Sequence, residues 1–119
     1  MELRLTQREV AGHAVLAIDG AADLASTPAL HGALQRLVGR ADLGASIAVD
    51  LDGTTVLDDA ALGLLLGAAA SARSRGGSLL VVCSDERLRA RLTDTRFDRA
   101  VEVAASLGTS VVDPAADLS

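Results

Sequence analysis

The run SIAVDLDGTTVLDDAALGLLL, residues 46–66, holds a strand, a turn and a helix start in succession. Residues 46–51 are mostly apolar and short, which predicts a buried strand. Asp52-Gly53 is a turn pair. Thr54 and Thr55 are expected in a loop, and Val56 and Leu57 lead into Asp58-Asp59. Two carboxylates in that place suit a helix start, where they cap free N–H groups and meet the positive end of the helix dipole. Leu62, Leu65, Leu66, Ala69 and Ala72 then recur at helical spacing and predict the buried stripe of a helix over 59–75, with Leu66 deep in the core. Arg73 and Arg75 fall in its last turn, and Gly76-Gly77 stops it.

Working outward, residues 78–83 (SLLVVC) are almost continuously apolar, as in a strand covered on both faces with parallel neighbours. Ser84 or Asp85 caps a helix over 85–94, with Leu88 and Leu92 facing inward. Residues 100–104 predict a last short strand. Upstream, residues 3–10 alternate weakly and residues 13–19 are apolar; with Gly12 between them they predict a hairpin. Thr27 is expected as an N-cap and Pro28 at the first helical position. The helix over 27–38 buries Leu30, Ala33, Leu34, Leu37 and Val38 and can end at Gly39. The order is β-β-α-β-α-β-α-β. Right-handed crossovers then give an α/β fold, a mixed and mostly parallel sheet of about 4–5 strands covered by helices. One domain over residues 1–112 is expected. Leu107, Val111 and Val112 are expected to dock, and residues 113–119 to form a flexible tail.

Composition narrows the function. The chain of 119 residues has a formal charge of −5, no Trp or Tyr, and Phe97 as its one aromatic. All of its basic residues are Arg, and none are concentrated enough to grip a phosphate backbone, so nucleic acid is not an expected partner. The arginines at 87, 89, 91, 96 and 99 read as a solvated helix face. Cys83 stands alone in an apolar run and reads as a buried, unreactive thiol. No signal peptide is visible, and no apolar run is long enough to span a bilayer, so no membrane insertion is expected and the expected location is the cytoplasm.

Sites for chemistry are sparse. His13 and His31 show no metal-ligand spacing. Gly63 and Gly67, four apart on a helix, permit close helix packing but form no phosphate loop. Asp50, Asp52, Asp58 and Asp59 gather near one strand end, but capping and solvated turns account for them. No metal, no cofactor and no enzymatic activity is expected, because no general base stands beside a nucleophile.

The stretch Asp50 to Leu66 resembles the signature of STAS domains: a strand ending in Asp-Leu, a short loop, then Asp-Ser-Ser/Thr-Gly-Leu-Gly opening a helix. Gly20 to Leu30 is similar to the family's Gly-Glu-Leu-Asp-Leu segment, with Asp23 at its Asp and Ala21 where its Glu stands. Gly76 to Ser84 and Leu88 to Val103 resemble the following segments, so the resemblance covers about residues 3–112. It implies the antagonist branch of the family. There the unphosphorylated protein binds an anti-sigma factor, a serine kinase, and phosphorylation at the helix start breaks the complex.

The chain departs at that helix start. Matching Asp58 to the motif's Asp puts Asp59 on the first Ser, Ala60 on the phosphoacceptor and Ala61 on the Gly. No phosphorylation is expected at Ala60. Ala60 and Ala61 are expected to form a flat apolar patch ringed by Asp23, Asp58 and Asp59, suited to a partner with an apolar centre and a basic rim. That partner is an anti-sigma factor of the serine-kinase type or a related regulator. The alternative is an accessory subunit bound to the ATPase of an ABC-type phospholipid transport complex.

Overall fold

The computed structural model describes residues 3–10, 12–40 and 45–106. The elements run β1 Leu3–Val10, β2 His13–Ala22, α1 Thr27–Arg40, β3 Ser46–Asp50, β4 Thr54–Leu57, α2 Asp59–Ser74, β5 Ser78–Val82, α3 Glu86–Asp94, α4 Phe97–Ala100 and β6 Glu102–Ala104. A short 3-10 turn, Leu24–Ser26, joins β2 to α1. The expected docking of Leu107, Val111 and Val112 and the expected tail over 113–119 lie outside the described residues.

The strands form one sheet in the order β1-β2-β3-β5-β6, with β4 also paired to β2. Among the described residues only the β1–β2 hairpin is antiparallel; the β2–β3, β2–β4, β3–β5 and β5–β6 pairs are parallel. This is the mixed, mostly parallel α/β sheet expected, with six strands among the described residues where about four or five were expected. The added strand is β4, which begins at Thr54 and Thr55, where the sequence predicts a loop. After β3 leaves β2, residues 51–53 step aside and the chain returns to the same edge of β2, pairing Ala21 with Val56 and Ala22 with Leu57. Its Thr-Thr-Val run is β-prone. Thr54 is buried and its Oγ1 donates to the Ile18 carbonyl at 2.8 Å.

Alternation along the strands sends Leu16, Ile18, Ile47, Val49, Leu79 and Val81 to the face that the helices cover. There they meet Leu30, Leu34 and Leu37 of α1, and Leu62 and Leu65 of α2. A smaller apolar cluster, Val15, Ala48 and Val82, occupies the opposite face. The core is built of Leu, Val, Ile and Ala, with Phe97 as its one aromatic.

Several local expectations change. Leu66 is 38% exposed, not deep in the core. The buried stripe of α2 is Ala61, Leu62, Leu65, Ala68, Ala69 and Ala72. Successive helical residues are about 100° apart, so a face centred on Leu65 turns Leu66 toward solvent. Thr27 is the first residue of α1 rather than its cap; the capping is done upstream by Asp23, at the start of the 3-10 turn. Helix α1 continues past Gly39 to Arg40. The end of α2 is as expected: Gly76 takes φ +82°, and the Gly77 N–H returns to the Ala72 carbonyl at 2.9 Å. The last strand begins at Glu102, because Arg96 in the left-handed region (φ 62°) starts the extra turn α4 that buries Phe97.

Candidate protein-docking site

Parallel pairing of β2 with β4 brings two chain segments to one point. Ala22 pairs with Leu57, and the next residue on each strand is an aspartate. The Asp58 N–H donates to the Ala22 carbonyl at 3.1 Å, which fixes Asp58 beside Asp23. Each then starts a helical turn. Asp58 has extended backbone, and its Oδ1 accepts from the Ala61 N–H at 3.1 Å. Asp23 forms a capping box with Ser26: its Oδ1 accepts from the Ser26 N–H at 3.2 Å, and its own N–H donates to Ser26 Oγ at 3.0 Å. Both carboxylates therefore satisfy N–H groups that a helix leaves open at its start.

Asp59 projects outward, its side chain 91% exposed, and pairs with Arg91 of α3 at 3.0 Å. The Arg91 Nε also donates to the Leu57 carbonyl. One guanidinium thus bridges the end of β4 and the first turn of α2. Arg91 was expected on a solvated helix face, and that reading is corrected. No local signal announces the contact, because 34 positions separate it from Leu57. Arg89 likewise donates to the Cys83 carbonyl at 3.0 Å. The acidic ring around the site therefore carries a cation of its own.

The expected Ala60–Ala61 patch is also corrected. Ala61 is fully buried and belongs to the core stripe, whereas Ala60 is half-buried. Apolar surface near the two strand ends comes instead from Leu24, 72% exposed on the turn after Asp23, and Val56, 43% exposed on β4. A leucine between a capping aspartate and Ser-Thr-Pro was a signal for Leu24; Val56 was hidden by the loop expectation. The candidate apolar contacts near the strand ends are thus Leu24, Val56 and the half-buried methyl of Ala60, and the candidate charged ones are Asp23, Asp58 and the Asp59–Arg91 pair.

The nearby hydroxyls are committed to the fold in different degrees. Ser26 Oγ donates to the Asp23 carbonyl at 2.9 Å and lies 3.2 Å from the Ala21 carbonyl. Thr27 Oγ1 donates to the Leu24 carbonyl at 2.9 Å, and Thr54 Oγ1 is buried. Thr55 is exposed and lines a crevice of about 570 Å3 between β4 and α3, together with Arg87 and Arg91.

The four aspartates considered for a metal do not converge. Asp50 pairs with Arg8 at 3.1 Å and accepts from the Asp52 N–H. Asp52 accepts from the N–H and Oγ of Ser84. Asp58 and Asp59 are held as described above. Among the described residues, no group of three or more His, Cys, Asp or Glu is placed to hold a metal ion. His13 Nδ1 lies 3.4 Å from the Ser46 carbonyl, and His31 is exposed on α1. Cys83 is buried, and burial pushes its thiol pKa up. Among the described residues, no helix is long and apolar enough to cross a membrane.

Solved structures share this architecture. An anti-sigma factor antagonist from Mycobacterium paratuberculosis superposes with a TM-score of 0.81 at 21% identity, covering 94% of this chain and 96% of that one. A putative anti-sigma factor antagonist from Thermotoga maritima gives 0.77 at 17% identity, covering 89% and 90%. The anti-sigma factor antagonist SpoIIAA in its unphosphorylated form gives 0.68 at 13% identity, covering 98% and 100%. At these identities the likeness establishes the fold. No curated protein sequence gives a significant match. The sequence itself matches a family model, described as "Mlab, STAS domain", over residues 5–108, and on that match the chain belongs to the STAS-domain family.

Proposed function

We propose that this protein is an unswitched, antagonist-like regulatory module in a sigma-factor pathway of the cytoplasm. It binds an anti-sigma factor of the serine-kinase type, or a related regulator, through Leu24, Val56 and the first turn of α2, and it acts by binding rather than catalysis. The observation that carries the reading is the half-buried methyl of Ala60, two residues past the capping Asp58, where the family resemblance implies a phosphoacceptor hydroxyl. Phosphoryl transfer needs an oxygen in line with the γ-phosphate, and alanine has none. Thr54, Ser26 and Thr27 are poor substitutes, because each hydroxyl already donates to a backbone carbonyl. Asp59 adds one negative charge beside the site, against about −1.5 to −2 for a phosphoryl group. Its pairing with Arg91 reduces its likeness to a phosphate further.

The test is intact-mass measurement after incubation with an anti-sigma kinase and ATP. The wild-type chain is expected to gain no phosphate. Ala60→Ser, alone or with Asp59→Ser and Ala61→Gly, is expected to gain one phosphoryl group and to lose partner binding when it does. Stoichiometric phosphate on the wild type, at Thr55 or any other hydroxyl, would refute the unswitched reading.

The second reading, an accessory subunit on the ATPase of an ABC-type phospholipid transport complex, is favoured by one observation: the matching family model is named Mlab and not as an antagonist. Co-purification with a transport ATPase, and failure to bind any anti-sigma kinase, would decide for it.

A further inference from the structure

Cross-strand partners share a face of the sheet, so the pairing register sorts the strand residues by face. Val15 pairs with Ala48, and Ala48 with Leu80; in the next row, Asp50 pairs with Val82, and Val82 with Ala104. These residues lie on the face away from the helices. Val15, Ala48 and Val82 are nevertheless only 2%, 1% and 5% exposed, as buried as the helix-covered core. Every member of that cluster, and Val10 and Leu80 packed against it, is a strand residue. A sheet face with no layer over it is solvated. The Arg8–Asp50 ion pair reaches across β2 beside Val15, but the Arg8 side chain is itself half exposed. One side chain so placed does not account for the burial of Ala48 and Val82.

The end of the described chain points to the cover. β1 and β6 are the two ends of the sheet order, about 19 Å apart at the usual strand spacing. Yet Ala105 and Ser106, just past β6, line one crevice of about 190 Å3 together with Val10 of β1, Val15 and Val82. The chain therefore leaves β6 over this face and toward β1, not away from the sheet. The next six residues, Leu107 to Val112 (LGTSVV), carry no charge, and Asp113-Pro114 follows them. Six residues reach up to about 20 Å, enough to cross the same strands. Leu107 and Val111, four apart, fall on one side of the segment both in extended chain and in a helical turn. We propose that residues 107–112 form a strap that closes this sheet face, with Leu107 and Val111 over the Val15–Ala48–Val82 cluster. The uncharged run belongs to the core, and the chain from Asp113 onward does not. A partner that used this face would first have to displace the strap. The proposal concerns the face opposite the helices and does not depend on the function proposed above.

NMR on the full-length chain with labelled Leu and Val methyls is the test. NOEs are expected from the Leu107 or Val111 methyls to those of Val15 and Val82, and their absence would overturn the proposal. A mixture of labelled and unlabelled chains checks another occupant. NOEs at Val15 or Val82 that arise only between chains would place a second copy there and overturn the strap. Leu107→Asp combined with Val111→Asp should shift the Val15 and Val82 methyl resonances and lower the thermal midpoint by about 5 °C or more. Leu118→Asp, outside the strap, should do neither. Equal midpoints for the double variant and wild type, or the same loss from Leu118→Asp, would also overturn the assignment to residues 107–112.

Discussion

At the scale of single residues, burial and hydrogen bonding decide what each side chain does. The sequence points to Asp23 and Asp58 as docking residues, and both spend carboxylate oxygens on helix starts. In the function proposed above, only their remaining exposed surface is left for a partner. Cys83 shows the same priority of fold over chemistry. It is buried, its Sγ lies 3.7 Å from the Asp85 carbonyl, and burial is the largest cause of its raised pKa; the nearby carboxylates of Asp52 and Asp85 add to it. The native thiol is therefore expected to resist an aqueous disulfide reagent until the protein is denatured, which an absorbance assay reads; rapid stoichiometric labelling of the native chain would contradict this. A linkage effect accompanies it. The unfolded thiol ionises at its ordinary pKa while the folded thiol stays protonated, so the unfolded state binds fewer protons and stability falls as pH rises. The contribution is intact below the ordinary thiol pKa and lost as pH climbs through the raised folded value. Cys83→Ala should flatten that alkaline decline in urea midpoints, whatever it costs in packing.

At the scale of elements, α2 shows how one register choice assigns roles to neighbours. Leu65 is fully buried and Leu66 is 38% exposed. Leu65→Ala should therefore cost about 2–5 kcal/mol, the range for a core truncation that leaves a cavity, and Leu66→Ala less than about 1 kcal/mol. Chemical denaturation of the pair measures both, and equal losses would show that the helix phase is wrong. The sequence contained the helical period but not its rotation to within one residue, because Leu64, Leu65 and Leu66 form a run without contrast. The strand β4 is the complementary case. Its Thr-Thr-Val-Leu run is too short for period to mark it, and it becomes a strand because the end of β2 offers a free edge there. Asp59 and Arg91 also belong to this scale. Their ion pair is exposed on the Asp59 side, so Asp59→Asn should change stability by less than about 1 kcal/mol. A larger loss by denaturation would mean that the pair braces α3 against α2.

At the scale of the molecule, β3 is the middle strand of the sheet order, with β2 and β5 beside it and helices over one face. β1 and β6 are at the sheet's ends. Amides in β3 should exchange with solvent only through global opening, and those of β6 through cheaper local opening. Native-state hydrogen exchange distinguishes the two, and equal protection of β6 and β3 would argue for a cover over that end of the sheet. The same layout places Asp23, Asp58 and the first turn of α2 together at the strand ends.

What the sequence by itself determined is local. Apolar period, capping aspartates and the Gly76-Gly77 stop fixed the kinds of elements, their order and most of their bounds, because those signals act within a few residues. The absence of an oxygen at Ala60 is equally local, and folding cannot supply one. Tertiary structure alone decided that β4 pairs with β2, that Leu66 and not Leu65 faces water, that Ala61 leaves the surface, and that Arg91 reaches Leu57 and Asp59. Each of these depends on a partner contributed by a distant part of the chain. A side chain's exposure and its hydrogen bonds are set by what packs against it, and no window of sequence around the residue contains that information.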